Sequence, residues 1–138
     1  MTSEHRTTDT FYASISYDDA HAAIAWLERA FGFTRRLVVP GPDGTVAHSE
    51  LSYGSGVVMV SSSKPDKGRV SPRRLGAVAH ALCVRVDDPD ALYHRAKAAG
   101  AEVTEELRDE DYGSRGFMVR DLEGHPWYFG TYRPGAHW

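Results

Sequence analysis

Ile15-Ser16-Tyr17-Asp18-Asp19 opens a stretch that closes at Gly32, and Val84-Arg85-Val86-Asp87-Asp88 opens a second that closes at Gly100. An offset of 69 carries Asp18 and Asp19 onto Asp87 and Asp88, and an offset of 68 carries Gly32 onto Gly100 and Gly56 onto Gly124. A strand, a double aspartate, an amphipathic helix, a glycine stop and a later glycine turn therefore recur in one order at nearly one spacing. This is an internal duplication. Two copies of an incomplete sheet can face one another across a pocket, and the side chains lining that pocket then decide the function.

Working outward from the repeat, Phe11 to Tyr17 alternates as a half-buried strand does, with Phe11, Ala13, Ile15 and Tyr17 on one face. Asp18 or Asp19 can cap the helix that follows. Ala20, Ala23, Ile24, Leu27 and Phe31 fall on one helical stripe, and Gly32 suits the left-handed stop. Phe33–Val39, Thr45–Tyr53 and Val57–Ser61 read as three further strands, which makes the order βαβββ. In the second copy His80–Val86 is a strand, Asp88 an N-cap with Pro89 at the first helical position, and Gly100 the stop. Glu102–Leu107, Gly116–Arg120 and Pro126–Tyr132 complete it. The expectation is an α+β fold in which residues 1–138 form a single domain of two βαβββ repeats, about 10–63 and 78–132. Residues 1–9 read as a frayed polar tail. Ser62–Ala77 carries Lys64, Lys67, Arg69, Arg73 and Arg74 and reads as a solvated basic linker, with a polyanion site as the alternative.

A formal charge of −3 supplies no general pull toward nucleic acid or anionic membrane, so neither is expected as a partner. No run approaches the roughly 18 apolar residues of a membrane span, and the start lacks an apolar leader core. Cys83 is the single cysteine, which excludes an intramolecular disulfide framework and suits a reducing cytoplasm.

The chain resembles the vicinal oxygen chelate superfamily of glyoxalase I, bleomycin resistance proteins and extradiol dioxygenases. The resemblance is carried by Val84 to Leu92, Arg95 to Ala101, Tyr112-Gly113-Ser114-Arg115 and Arg120 to Trp127, with Ala25 to Phe33 in the first half. It implies paired βαβββ modules that roll into half-barrels around a cavity, and a homodimer. It also implies, in the metal-dependent members, ligands at matching strand positions, two in each module. Aligned on the double aspartates, those positions hold Tyr12 and Met59 in the first module and Ala81 and Tyr128 in the second. Phenol, thioether, methyl and phenol do not make an ordinary divalent-metal centre, so no metal and no other cofactor is expected. Such an apolar floor suits a flat organic ligand, with simple strand packing as the bland alternative for Tyr12 and Tyr128.

His80 falls one residue before its slot, so alternation turns it toward the helix-covered face, as a hydrogen-bonded histidine near a strand start or module junction; it would be a metal ligand only if the strand is bulged. His48 and Glu50 alternate with Ser49 and Leu51, so both face the cavity if Leu51 packs on the helix. They could pair for proton transfer, bind a cationic ligand, or join His80 in a nonstandard metal site; a polar patch on an exposed strand face is the alternative. Arg115 is placed at the cavity mouth, to meet an anionic or carbonyl group, or else in a turn paired with a surface carboxylate. Trp127 and Phe129 read as core. Trp26, off the main helical stripe, is either a dimer contact or partly buried.

These residues lead to a metal-free protein that binds a small aromatic or amphipathic molecule through Tyr12, His48, Glu50, Met59, Arg115 and Tyr128, for instance to sequester a drug. The competing reading is a lyase, isomerase or dioxygenase, either metal-dependent through His48, Glu50 and His80 or acid/base through His48 and Glu50. Whether the modules pair within a chain or across a dimer is left open by the sequence.

Overall fold

The computed structural model describes residues 9–138. Apart from Asp9, the polar start expected to fray lies outside the described residues. The first module is β1 (Ala13–Tyr17), α1 (Ala20–Phe31), β2 (Thr34–Pro40), β3 (Val46–Tyr53) and β4 (Gly56–Ser62). After a single-turn helix α2 (Pro72–Leu75), the second module is β5 (Leu82–Arg85), α3 (Pro89–Ala98), β6 (Glu102–Asp109), β7 (Arg115–Arg120) and β8 (Pro126–Gly130). Each module is a four-stranded sheet, β1-β4-β3-β2 or β5-β8-β7-β6, in which the first and last strands run parallel and the other pairings are antiparallel. The duplication reaches the register itself: from Ala13 opposite Val58 to Leu82 opposite Trp127, both partners advance by 69.

Local chemistry explains the element boundaries. Asp19 accepts a hydrogen bond from the Ala22 amide at 3.1 Å, and Asp88 accepts one from the Ala91 amide at the same distance, with Pro89 opening α3. Each cap satisfies an amide that the first helical turn leaves unpaired. Gly32 ends α1 at φ 86°, a left-handed conformation that would strain a side chain.

One face of each sheet is covered by helix, and there the expected stripe of Ala20, Ala23, Ile24, Leu27 and Phe31 is buried against Ile15, Tyr17, Leu51, Val58 and Val60. The two modules share a single core. Phe31 of α1 packs on Trp127 and Phe129 of β8, with ring centroids 5.3 and 4.6 Å apart. Trp26 is not on a surface available to a dimer: it is 2% exposed, and its indole Nε1 donates to the Ala99 carbonyl oxygen at the end of α3 at 2.7 Å. Arg95 of α3 returns the contact by donating to the carbonyls of Glu28 and Arg29. Each end-of-helix carbonyl thereby gains a donor.

The basic linker is largely exposed, as a solvated connection would be, but it is pinned to both modules at Ser71 and through its arginines. Ser71, fully buried, caps α2 and donates to Glu123 Oε1 at 2.5 Å. Glu123 also accepts from the amides of Asp18 and Asp19 at 2.7 and 2.9 Å, so a carboxylate of the second module seals the start of α1 in the first. Arg74 reaches Asp18 at 2.8 Å, and Arg69 donates to the Ser14 hydroxyl. The linker arginines thus have intramolecular work that no local pattern announces.

Candidate functional site

The sheet faces turned away from the helices are the surfaces on which ligand chemistry can be built. Cross-strand pairing sets Ser14, Met59, Glu50 and Leu37 in one row across the first module's open face. The equivalent row in the second module is Cys83, Tyr128, Met118 and Glu105. Met59 and Tyr128, expected to form a floor, hold matching places on these faces and are both half-buried. The two faces are not closed on one another within the chain, because the modules meet through α1, α3 and the shared core. Ser14 and Cys83 accordingly remain exposed.

His48 and Glu50 do come together. Leu51 is buried on the helix side, so alternation turns both polar side chains to the open face. His48 Nε2 lies 2.8 Å from Glu50 Oε2, with the side chains 39% and 42% exposed. The imidazole orients the carboxylate, and the pair can pass a proton to a group held above it. Leu37 and Val39 lie directly opposite Glu50 and His48 on β2 and supply an exposed apolar border.

Tyr128 belongs to a hydroxyl cluster. Its Oη is 2.8 Å from Ser114 Oγ, and Tyr112 Oη donates to it at 3.5 Å. Its hydrogen bond to Tyr128 is the main reason the Tyr112 hydroxyl is pushed up to about 12, which keeps it a protonated donor. Tyr112 in turn meets Tyr132 edge-on at 5.3 Å. Ser114, Tyr112, Gly116 and Gly130 were not singled out as ligand residues from the sequence. Glycines at alternating positions of two paired strands were the available signal, since a strand glycine marks a close approach.

The structure decides between the alternative readings of Arg115 and His80 and locates Tyr12. Arg115 shares the helix-covered face with Phe117 and Val119, opposite to Tyr128, so it is not at the mouth of an open-face cavity. Its guanidinium grips both oxygens of Asp90 at 2.9 Å, with Asp109 at 3.3 Å, and this holds the Asp90 carboxyl below the usual carboxylate range. Tyr12 precedes β1, is 39% exposed, and its hydroxyl donates to the Asp9 carbonyl. His80 precedes β5 and lies beside His125, with ring centroids 6.3 Å apart, away from the His48 and Glu50 pair.

The positions where the resemblance implies metal ligands do not fit a metal. Tyr12 and Ala81 lie outside the strands, and Met59 and Tyr128 offer a thioether and a phenol in place of imidazole and carboxylate. Among the described residues, no three His, Cys, Asp or Glu side chains group so as to hold a metal ion. His125, which pattern reading passed over, serves the module junction: it is buried, its Nε2 is 2.8 Å from the Ser16 carbonyl oxygen, and the Tyr17 ring packs edge-on at 4.7 Å. Asp121 completes that junction by accepting from Tyr17 Oη at 2.5 Å and Trp127 Nε1 at 2.9 Å. Burial first, and then the Asp121 charge, hold the Tyr17 hydroxyl well above its ordinary range.

A cleft of about 820 Å³ opens between the modules, lined by Phe33, Tyr53, Val58, Leu82, Leu92 and Arg95 among others. None of the six residues expected to bind ligand lines it.

Comparison with known proteins agrees with this architecture. The family model of the Glyoxalase/Bleomycin resistance protein/Dioxygenase superfamily matches residues 10–129. The chain is 36% identical over 116 residues to uncharacterized protein Mb0911c of Mycobacterium bovis, covering 82% of this chain and 76% of that one. Among solved structures it is similar to TioX from Micromonospora sp. ML1, at 35% identity and TM-score 0.70, covering 88% of this chain and 97% of TioX. The fold alone is shared, at 11% identity and TM-score 0.69, with the fosfomycin resistance protein FosX of Listeria monocytogenes, solved with Mn(II) and a sulfate ion and covering 92% and 94% of the two chains. With two βαβββ modules in register and a family match spanning most of its length, this chain belongs to the Glyoxalase/Bleomycin resistance protein/Dioxygenase superfamily.

Proposed function

We propose that this protein binds a small aromatic or amphipathic molecule without a metal, on the open faces of its two sheets, in the manner of a cytoplasmic sequestering protein. The observation that supports the reading is the pair of matching rows that carry Met59 and Tyr128, the positions where the sequence resemblance implies metal donors. Met adapts to ligand shape and Tyr presents a rigid aromatic surface, while His48 and Glu50 supply a polar anchor at one end. Because each chain leaves both faces uncovered, a homodimer that sets the first module of one chain against the second of its partner would enclose two equivalent sites. Sequestration of a drug-like compound fits such a site, since no bond need be broken.

The test is metal content and mass. Protein purified without added metal should carry less than about one tenth of an equivalent of Zn, Ni, Fe or Mn, with a melting temperature that chelator leaves unchanged. Light scattering should give twice the 15.3 kDa of one chain. Stoichiometric metal with chelator-sensitive folding would overturn the metal-free reading, and a monomer at micromolar concentration would overturn the paired site.

A second reading is favoured by the 2.8 Å contact between His48 and Glu50: an acid/base enzyme in which this pair moves a proton on a bound substrate. Turnover abolished by Glu50→Gln, with binding retained, would establish it over simple sequestration.

A further inference from the structure

The second module's open face carries a built aromatic seat. Gly116 and Gly130 are cross-strand partners on β7 and β8, and both are buried. A Cβ added to Gly130 would lie 2.5 Å from Tyr128 Oη, 2.6 Å from Cε2 and 2.7 Å from Cζ. One added to Gly116 would lie 2.5 Å from the same Oη and 2.7 Å from Cζ, and would also run into the Phe129 carbonyl. A strand side chain ordinarily stands up from its sheet. The Tyr128 ring instead lies down on bare backbone, in a space that any side chain at either glycine would fill. Neither glycine has a left-handed backbone, so close approach and not turn geometry explains both.

The far end of the ring is held as well. Ser114 Oγ accepts from the Tyr132 amide at 3.2 Å and is 2.8 Å from Tyr128 Oη, and Tyr112 stands alongside. The outer end of the phenol thus lies over the backbone of two glycines, its hydroxyl is bonded, and the residue stays half-exposed. The first module has no such surface, because Met59 and Ser61 occupy the positions that match Tyr128 and Gly130.

We propose that this surface is a stacking subsite for a planar, uncharged aromatic ring system, with the ring face-on over Tyr128 and its edge toward Tyr112. This rests on the small-molecule reading above and narrows its ligand class. Gly130 is the positioning residue: it touches no ligand but keeps the platform flat. A planar ring contacts the whole phenol face and offers a π system, whereas a saturated ring of the same skeleton is puckered and offers neither.

The test compares 2-naphthol with trans-decalin-2-ol, which share a carbon skeleton and a hydroxyl and differ in planarity, by calorimetric titration of the full chain. Wild type should bind naphthol about tenfold tighter than decalinol. Gly130→Ala and Tyr128→Leu should each erase that preference by lowering naphthol affinity about tenfold. The added methyl of Gly130→Ala has only the Tyr128 ring as its nearest contacts, and Tyr128→Leu introduces no clash, so at least one folded variant reports the result. Equal affinity of wild type for both probes, or a preference surviving in the folded variants, would overturn the stacking subsite while leaving small-molecule binding intact. Failure of wild type to bind either probe at millimolar concentration would overturn both.

Discussion

The two open faces share a backbone and differ in chemistry. In the first module the row Ser14, Met59, Glu50, Leu37 carries a carboxylate joined to His48 at its centre, bordered by aliphatic side chains. In the second, Cys83, Tyr128, Met118 and Glu105 occupy the same places, with an aromatic ring laid over two glycines. The helix-covered faces have stayed alike, each packed with apolar residues against its helix. Core packing punishes divergence on one side of a sheet, while the other side is free to specialise. A duplicated fold can thereby offer one ligand two unlike walls, polar and aromatic.

The contrast between the faces of β8 gives the largest expected effect. Trp127→Ala should cost about 3–5 kcal/mol of stability, since it empties a core site and strips a donor from buried Asp121. Its first-module counterpart Val58→Ala removes far less volume and should cost less. Equal losses in denaturant melts would mean that the modules do not divide the core as their packing implies.

One residue along, Tyr128→Ala should weaken ligand binding by about 1–3 kcal/mol while disturbing the fold less than Trp127→Ala does. If instead both variants lose similar stability and affinity is untouched, Tyr128 belongs to the core and the two walls collapse into one.

On the polar wall, Glu50→Gln should change stability by less than about 1 kcal/mol, because the pair with His48 is solvent-screened. A larger loss in thermal melts would show that the first face is structural rather than a ligand surface.

The smallest effect concerns the strap that joins the modules. Burial pushes the Asp18 carboxyl up, but the Ser63 hydroxyl and the Arg74 guanidinium outweigh it and hold it below the usual carboxylate range. A depressed carboxyl stabilises the folded state above its unfolded pKa, near about 4, and that contribution is lost as pH falls through the lower folded value. Asp18→Asn should therefore lower stability modestly at pH 7, and by less as pH falls through the lowered folded value. A deficit that persisted in acid would assign the effect to geometry rather than charge.

Much of the fold was legible because it rests on short-range rules. The 69-residue offset, the Asp19 and Asp88 caps, the Gly32 stop and the Ala20 to Phe31 stripe each follow from periodicity and local hydrogen bonding, and each appears where the pattern puts it. The His48 and Glu50 pair was legible for the same reason, as two residues on one strand face. That Arg115 could pair with a carboxylate was legible, but its partner was not, because Asp90 lies 25 residues away across a helix–sheet contact that no spacing encodes. Trp26, the Ser71 strap and the glycine bed under Tyr128 are of the same kind.

Sequence by itself determined the repeated module and which residues of each strand share a face, since alternation and capping act within a few residues. Tertiary structure alone decided that the modules join through their helices, that Arg115 is bound by carboxylates of its own chain, and that Tyr128 lies flat on backbone. Those outcomes depend on where distant segments come to rest, and only packing of the whole chain sets those distances.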